Sequence, residues 1–134
     1  MIKAIIFDLD GVLVDTKKIH FEALNAALKK YRFEKITIDD HVKVFDGLPT
    51  TEKLKILQKK KRLPKKYFTK INKYKQKVTT EILKKNIKKN DKIIQMMKSL
   101  HKKYKIAVAT NAVNSTLKIC LSKLGISKYV HFKL

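Results

Sequence analysis

The chain has 134 residues, 44% of them hydrophobic, with 33 basic against 11 acidic side chains and a formal net charge of +22. That length suits one domain, or a small core carrying an insertion, and three glycines, two prolines and one cysteine exclude collagen-like, mucin-like and disulfide-scaffold chains. No apolar run reaches the ~20 residues of a membrane span.

In chain order, residues 3–9 (Lys-Ala-Ile-Ile-Phe-Asp-Leu) predict a short buried strand that ends in carboxylates. Because Asp8 and Asp10 cut its apolar run, it is not a signal peptide. Thr16 is placed to cap a helix over residues 17–31, with Ile19, Ala23, Leu24, Ala27, Leu28 and Tyr31 on one apolar stripe. A short helix over 39–46, capped by Asp39-Asp40, precedes a turn at Gly47-Leu48-Pro49. Thr50 or Thr51 opens the next helix, with Leu54, Ile56 and Leu57 inward. Pro64 suits the first turn of a long helix carrying Tyr67, Phe68, Ile71, Tyr74, Val78 and Ile82 on one side. Asp91 caps a helix that buries Ile94, Met97 and Leu100 and ends near Tyr104. Residues 105–110 predict a second buried strand, Ser115 opens a helix that Gly125 stops, and Tyr129–Phe132 begins a third strand. Strand, helices, strand, helix, strand is a parallel α/β order with right-handed crossovers. The helices from 17 to 90 are too many for one crossover, which predicts a helical insertion capping the C-terminal end of the first strand.

The positive charge has a compositional explanation. Lysines run from Lys3 to Lys133 in short groups such as Lys59-Lys60-Lys61, and Arg32 and Arg62 are the only arginines. Aromatic residues are not interleaved with the lysines as a base-stacking platform requires. Lys, Ile and Asn are abundant together, as AT-rich coding produces, so the composition does not call for nucleic-acid recognition. A field of this sign still draws anionic substrates in a salt-dependent way.

Two carboxylates carry the chemistry. Asp8 and Asp10 are two apart at the carboxyl end of the first strand, so both side chains leave on one face. Ligands of open α/β sheets bind at that end. One carboxylate can attack as a nucleophile while the other moves protons, and both can help hold Mg²⁺, which prefers oxygen ligands. Gly11 lets the backbone turn away and frees amides for an oxyanion.

Phe7-Asp8-Leu9-Asp10-Gly11-Val12-Leu13-Val14-Asp15-Thr16 resembles the first motif of the haloacid dehalogenase-like hydrolase superfamily. Ile106-Ala107-Val108-Ala109-Thr110-Asn111 resembles its second motif, an apolar strand ending in Thr or Ser. Their order, with a helical segment between, is similar to the subgroup of β-phosphoglucomutases and small-molecule phosphatases. The resemblance implies a partial Rossmann-like parallel sheet with an inserted α-helical cap, the core being residues 1–16 and 91–134 and the cap 17–90. It implies Asp8 as the nucleophile that becomes an aspartyl-phosphate and Asp10 as the general acid/base. Mg²⁺ would be held by Asp8 and by the backbone carbonyl of Asp10, and phosphoryl oxygens by Thr110, Asn111 and the backbone N–H groups of Leu9 and Asp10. Gly47 of the cap would face the substrate with its neighbours up to Thr50 and Thr51. His20 would line the site mouth or pack at the cap junction. The expected ligand is a small phosphorylated metabolite, and the oligomeric state stays open.

Two departures temper the expectation. Where β-phosphoglucomutases place an arginine just after the cap glycine, this chain has Thr50 or Thr51, which favours a phosphatase over a mutase. The family's third-motif lysine and fourth-motif carboxylates would fall beyond Leu134. The chain therefore reads as the N-terminal part of an enzyme, of impaired activity by itself, which a second polypeptide could complement. The alternatives are a β-phosphoglucomutase-like phosphotransferase and a non-catalytic basic remnant that binds anions or nucleic acid. His41, His101 and His131 lack metal-ligand spacing with one another or with Cys120, and are assigned structural or surface places. Cys120 is assigned to the core, Met96 and Met97 to core or boundary packing, and Asp15 to a helix cap. A lone cysteine also suits a reducing cytoplasm.

Overall fold

In the computed structural model, which describes residues 1–61 and 63–134, the chain forms two compact units. One is Lys17–Glu81; the other combines Met1–Thr16 with Ile82–Leu134.

The Lys17–Glu81 unit is helical. Helix α1 (Lys17–Lys30) buries Ile19, Ala23, Leu24, Ala27 and Leu28, the stripe that the 3.6-residue period predicts. Beyond it, the Asn25 side chain takes both polar groups of Ile36: its amide donates to the carbonyl at 3.0 Å and its oxygen accepts the N–H at 2.9 Å. Helix α2 (Ile38–Asp40) is capped by Thr37, whose hydroxyl oxygen accepts the Asp40 N–H at 3.1 Å. The cap is thus Thr37 and not Asp39-Asp40, which occupy the first turn and meet the positive end of the helix dipole there. The chain then widens into a π-helical turn, His41–Phe45, that buries His41 and Phe45. Helix α3 (Thr50–Lys61) follows, then a 3₁₀ turn Lys65–Tyr67 and helix α4 (Phe68–Asn86). Leu24, Ala27, Leu28, Ile36, Phe45, Leu54, Leu57, Leu63 and Ile71 form one apolar cluster, with Tyr31, Tyr67 and Tyr74 packed against it.

The other unit holds a parallel sheet in the order β1-β2-β3: β1 (Ala4–Asp8), β2 (Lys105–Ala109) and β3 (Phe132–Lys133). Ala4 pairs with Lys105 and Asp8 with Ala109; Ala107 pairs with Phe132. Central β2 buries the consecutive residues Ile106, Ala107 and Val108, so both of its faces are covered. The buried-strand expectation holds there and fails for β1. At that edge position only the Ile5 and Phe7 face is packed, and Ile6 is 62% exposed. The third strand is also shorter than expected. Residues Ser127–Tyr129 form a 3₁₀ turn closed by the Tyr129 N–H on the Ile126 carbonyl, so pairing with β2 begins only at His131.

Helices α5 (Asp91–His101) and α6 (Asn114–Leu124) complete this unit. Asn90, not Asp91, caps α5, its side chain accepting the Ile93 N–H at 3.1 Å. Neither Ser115 nor any other side chain caps α6, which starts at Asn114 after an extended Val113. Gly125 ends α6 in the left-handed region (φ +81°), returning its N–H to the Leu121 and Ser122 carbonyls. Met97 is fully buried whereas Met96 faces solvent, because adjacent helical residues leave on different faces. No helix of the described residues is long and apolar enough to cross a membrane.

Candidate active site

The site grows from the turn that follows β1. The Leu9 carbonyl accepts N–H bonds from Leu13 (3.1 Å) and Val14 (3.0 Å), and the Gly11 N–H donates to the Val14 carbonyl at 2.7 Å. Closing this turn requires φ +80° at Gly11, which a glycine adopts without the Cβ penalty. The turn brings Val14 alongside Asp10 and carries Thr16 back to the Asp10 carboxylate.

Asp10 is held from both sides. The Thr16 hydroxyl donates to its Oδ1, and the Thr110 hydroxyl donates to its Oδ2 at 3.0 Å. Thr110 lies one residue past the end of β2, and its hydroxyl oxygen also accepts the Ala112 N–H at 3.0 Å. Register places Asp8 opposite Ala109, so the nucleophile candidate and Thr110 leave neighbouring strands at the same end of the sheet. Asp8 is exposed, and Asn111 follows Thr110 on the exposed turn.

The structure therefore brings Asp8, Asp10 and Thr110 together, although the two motifs are about a hundred residues apart. It also adds to the site Thr16, expected as a helix cap, whose side chain is 2% exposed and whose hydroxyl donates to Asp10. Only the contact reveals this role, because Thr before a helix is the ordinary N-cap signal. The Leu9 N–H continues the ladder to the Ala109 carbonyl at 3.3 Å and its side chain is fully buried, so Leu9 does not face outward as the expected phosphate donor.

His20, Gly47 and Thr50 belong to the helical unit. His20 is half-buried on α1, Gly47 takes φ +74° after the π turn, and Thr50 begins α3. The Lys75 ammonium, 5% exposed, donates to the Thr50 hydroxyl at 2.8 Å, a cation that no motif announced.

Cys120 lies in the core as expected. Burial, followed by the negative charge of Asp10, pushes its thiol up to about 11, which leaves it protonated and inert as a nucleophile. Among the described residues no three His, Cys, Asp or Glu side chains converge as a metal cluster. Asp8 and Asp10 nonetheless offer the oxygen-only donors that suit Mg²⁺, an ion that keeps several waters when few protein ligands are present.

Residues 5–133 match the haloacid dehalogenase-like hydrolase family. The chain belongs to this family. Among curated relatives, a phosphorylated carbohydrates phosphatase of Thermotoga maritima is 31% identical over 130 residues, which is 95% of this chain and 58% of that protein. Among solved structures, a candidate β-phosphoglucomutase of the same organism superposes with a TM-score of 0.70 at 26% identity, covering 98% of this chain and 60% of that one. The β-phosphoglucomutase of Clostridium difficile gives 0.74 at 23% identity, with 99% and 61% covered. CbbY of Rhodobacter sphaeroides, crystallised with xylulose 1,5-bisphosphate, gives 0.81 at 15% identity, with 99% and 63% covered, a likeness of fold. The chain thus spans about three fifths of the length of these haloacid dehalogenase-like relatives.

Proposed function

We propose that the chain is the part of a Mg²⁺-dependent phosphohydrolase that attacks a small phosphate monoester, of sugar-phosphate type, through an aspartyl-phosphate. The observation that carries this reading is the joining of the two motif strands, with the Thr110 hydroxyl on the Asp10 carboxylate 3.0 Å away and Asp8 beside them. The phosphorylated carbohydrates phosphatase that is 31% identical supports the substrate class.

In this mechanism an Asp8 carboxylate oxygen attacks phosphorus and the ester P–O bond breaks. The leaving oxygen takes a proton from Asp10. Water then attacks the phosphorus of the aspartyl-phosphate, giving its proton to Asp10 and restoring Asp8 with release of phosphate. Asp10 can hold a proton between its two threonines because a hydroxyl can accept as well as donate. Thr110, with the Asn111 N–H, would hold phosphoryl oxygens as charge develops. The Asp8 carboxylate and the Asp10 backbone carbonyl would hold Mg²⁺, which when bound neutralises phosphoryl charge, and the Asp10 carboxylate is left to move protons. With only these two carboxylates, this stretch by itself would turn over slowly, since losing one charge-stabilising group costs ~10²–10³ in rate. A polypeptide bringing further charged groups would raise the rate. The lone buried Cys120 accords with a cytoplasmic setting.

The test is phosphate release from p-nitrophenyl phosphate, with and without Mg²⁺, by the chain and by Asp8→Asn. Slow release that needs both Mg²⁺ and Asp8 is expected. Release that survives Asp8→Asn would overturn the nucleophile assignment. One observation favours a phosphotransferase as the second reading: Lys75 supplies a cation at Thr50, near the place where the arginine of β-phosphoglucomutases is missing. That reading expects Lys75→Met to weaken binding of a substrate bearing a second phosphate and to spare p-nitrophenyl phosphate.

A further inference from the structure

β3 is only two residues long, yet it braces the turn that carries Thr110. The Thr110 N–H donates to the Leu134 carbonyl at 3.1 Å, and the Leu134 N–H donates to the Val108 carbonyl at 2.8 Å. What anchors so short a strand is His131, just ahead of it. Its backbone N–H donates to the Ile106 carbonyl at 2.8 Å, while its ring Nδ1 accepts the Ile106 N–H at 3.0 Å. A side chain thereby stands in for a missing ladder carbonyl, and one residue makes both bonds to Ile106.

This arrangement fixes the tautomer. Nδ1 of His131 must be bare to accept, so its neutral ring carries the proton on Nε2. The ring stacks on His101 of α5, with centroids 4.6 Å apart and planes 18° from parallel. His101 Nδ1 lies 3.1 Å from the Tyr129 carbonyl, which can only accept, so that nitrogen carries a proton. The charged or titratable groups that face His131 are His101 from α5, whose other neighbour is Tyr129 of the 3₁₀ turn, and Lys105 from β2. A proton on His131 Nδ1 would point at the Ile106 N–H, donor against donor, and would place a positive charge against His101 and Lys105.

We infer that His131 is a positioning residue for Thr110: its neutral ring latches β3 onto β2, and proton uptake releases β3 together with the Leu134 bond to Thr110. Desolvation, and then Lys105 and His101, hold the histidine below its ordinary 6.5, in keeping with a site built for the neutral ring. The sign follows: the latch is whole above about pH 6.5 and is lost as pH falls through the lowered value. The link to catalysis rests on the proposed role of Thr110; the latch itself does not.

Amide hydrogen exchange on the 134-residue chain tests it, read as protection factors at Ile106, Thr110 and Leu134 between about pH 7.5 and pH 5. In the wild type, protection at the three amides should be lost progressively as pH falls across this range. His131→Asn places a non-titrating oxygen where Nδ1 stood, and should keep its protection at both ends. His131→Ala should lack it at both. Protection that is independent of pH in the wild type, or that falls equally in His131→Asn, would overturn the latch. Since the readout needs no turnover, a chain that hydrolyses no phosphate would count against the phosphatase reading and leave this measurement valid.

Discussion

Asp10 accepts two hydroxyl bonds that differ in what surrounds them, and that difference ranks their worth. Thr16 is 2% exposed and lies in the same turn, so Thr16→Val keeps the volume while removing a donor to a carboxylate. Hydrogen bonds to charged groups are worth about 1.5–3 kcal/mol, and a loss in that range should appear in urea unfolding. Any phosphatase activity should fall with it, because Asp10 loses its orientation. Elsewhere, His41 carries a different stress. It is 1% exposed and packs beside Phe21, with ring centroids 5.3 Å apart. Burial, and then the Lys53 charge, hold its proton affinity below the ordinary 6.5, while Asp46 works the other way. Folded His41 is thus neutral where the unfolded chain already takes up a proton, and stability must fall as pH drops through 6.5. His41→Phe should reduce the difference in urea midpoint between about pH 7.5 and pH 5 relative to wild type. An unchanged difference would show that His41 plays no part in it.

At the scale of elements, helix ends separate what the chain announces from what it hides. Gly125 was legible, and its cost can be ranked. A Cβ there would demand a left-handed φ and would also meet Ile94 Cδ1 at 2.9 Å, whereas at Gly47 the φ is equally positive and nothing lies within 4 Å. Gly47→Ala should therefore cost about 1–2 kcal/mol from backbone strain alone. Gly125→Ala should cost more, by whatever moving Ile94 requires, and the melting temperatures of the two variants should order accordingly. The apolar stripes of α1, α3 and α5 were legible for the same kind of reason: their period is set by the helix itself. The first-strand aspartates were legible because ligands bind at strand ends, and Thr110 only through its resemblance to the family's second motif. The N-terminal caps were misread at Asp39, Asp91 and Ser115, since Asn, Asp, Ser and Thr compete for each cap and only the backbone decides between neighbours. The Lys75 bond to Thr50 and the ring bond of His131 join residues 25 apart, a distance at which no local pattern speaks.

For the molecule as a whole, salt should act in two opposing directions. The net charge of +22 makes the folded state repel itself, because 11 acidic groups cannot offset 33 basic ones and the ion pairs seen, such as Lys17–Asp46 and Lys43–Asp39, are exposed. Raising the ionic strength from about 0.01 to 0.15 M shortens the Debye length from roughly 30 to 8 Å, so the thermal midpoint should rise as lysines stop sensing one another. The same screening removes what keeps copies apart. Among the described residues of this 134-residue stretch, β1 and β3 stand on the two sides of β2, and Ile6, Phe132 and, after β3, Leu134 are between 56% and 64% exposed. Apolar side chains on open edges recruit further strands, and charge on an edge opposes it, as Lys133 already does for half of β3. Light scattering should therefore grow with salt over the range in which the midpoint improves, and Phe132→Lys should suppress the scattering without lowering the midpoint by as much as a buried substitution would. Scattering that decreases with salt would mean that the lysines themselves drive association, and the open sheet edges would no longer explain it.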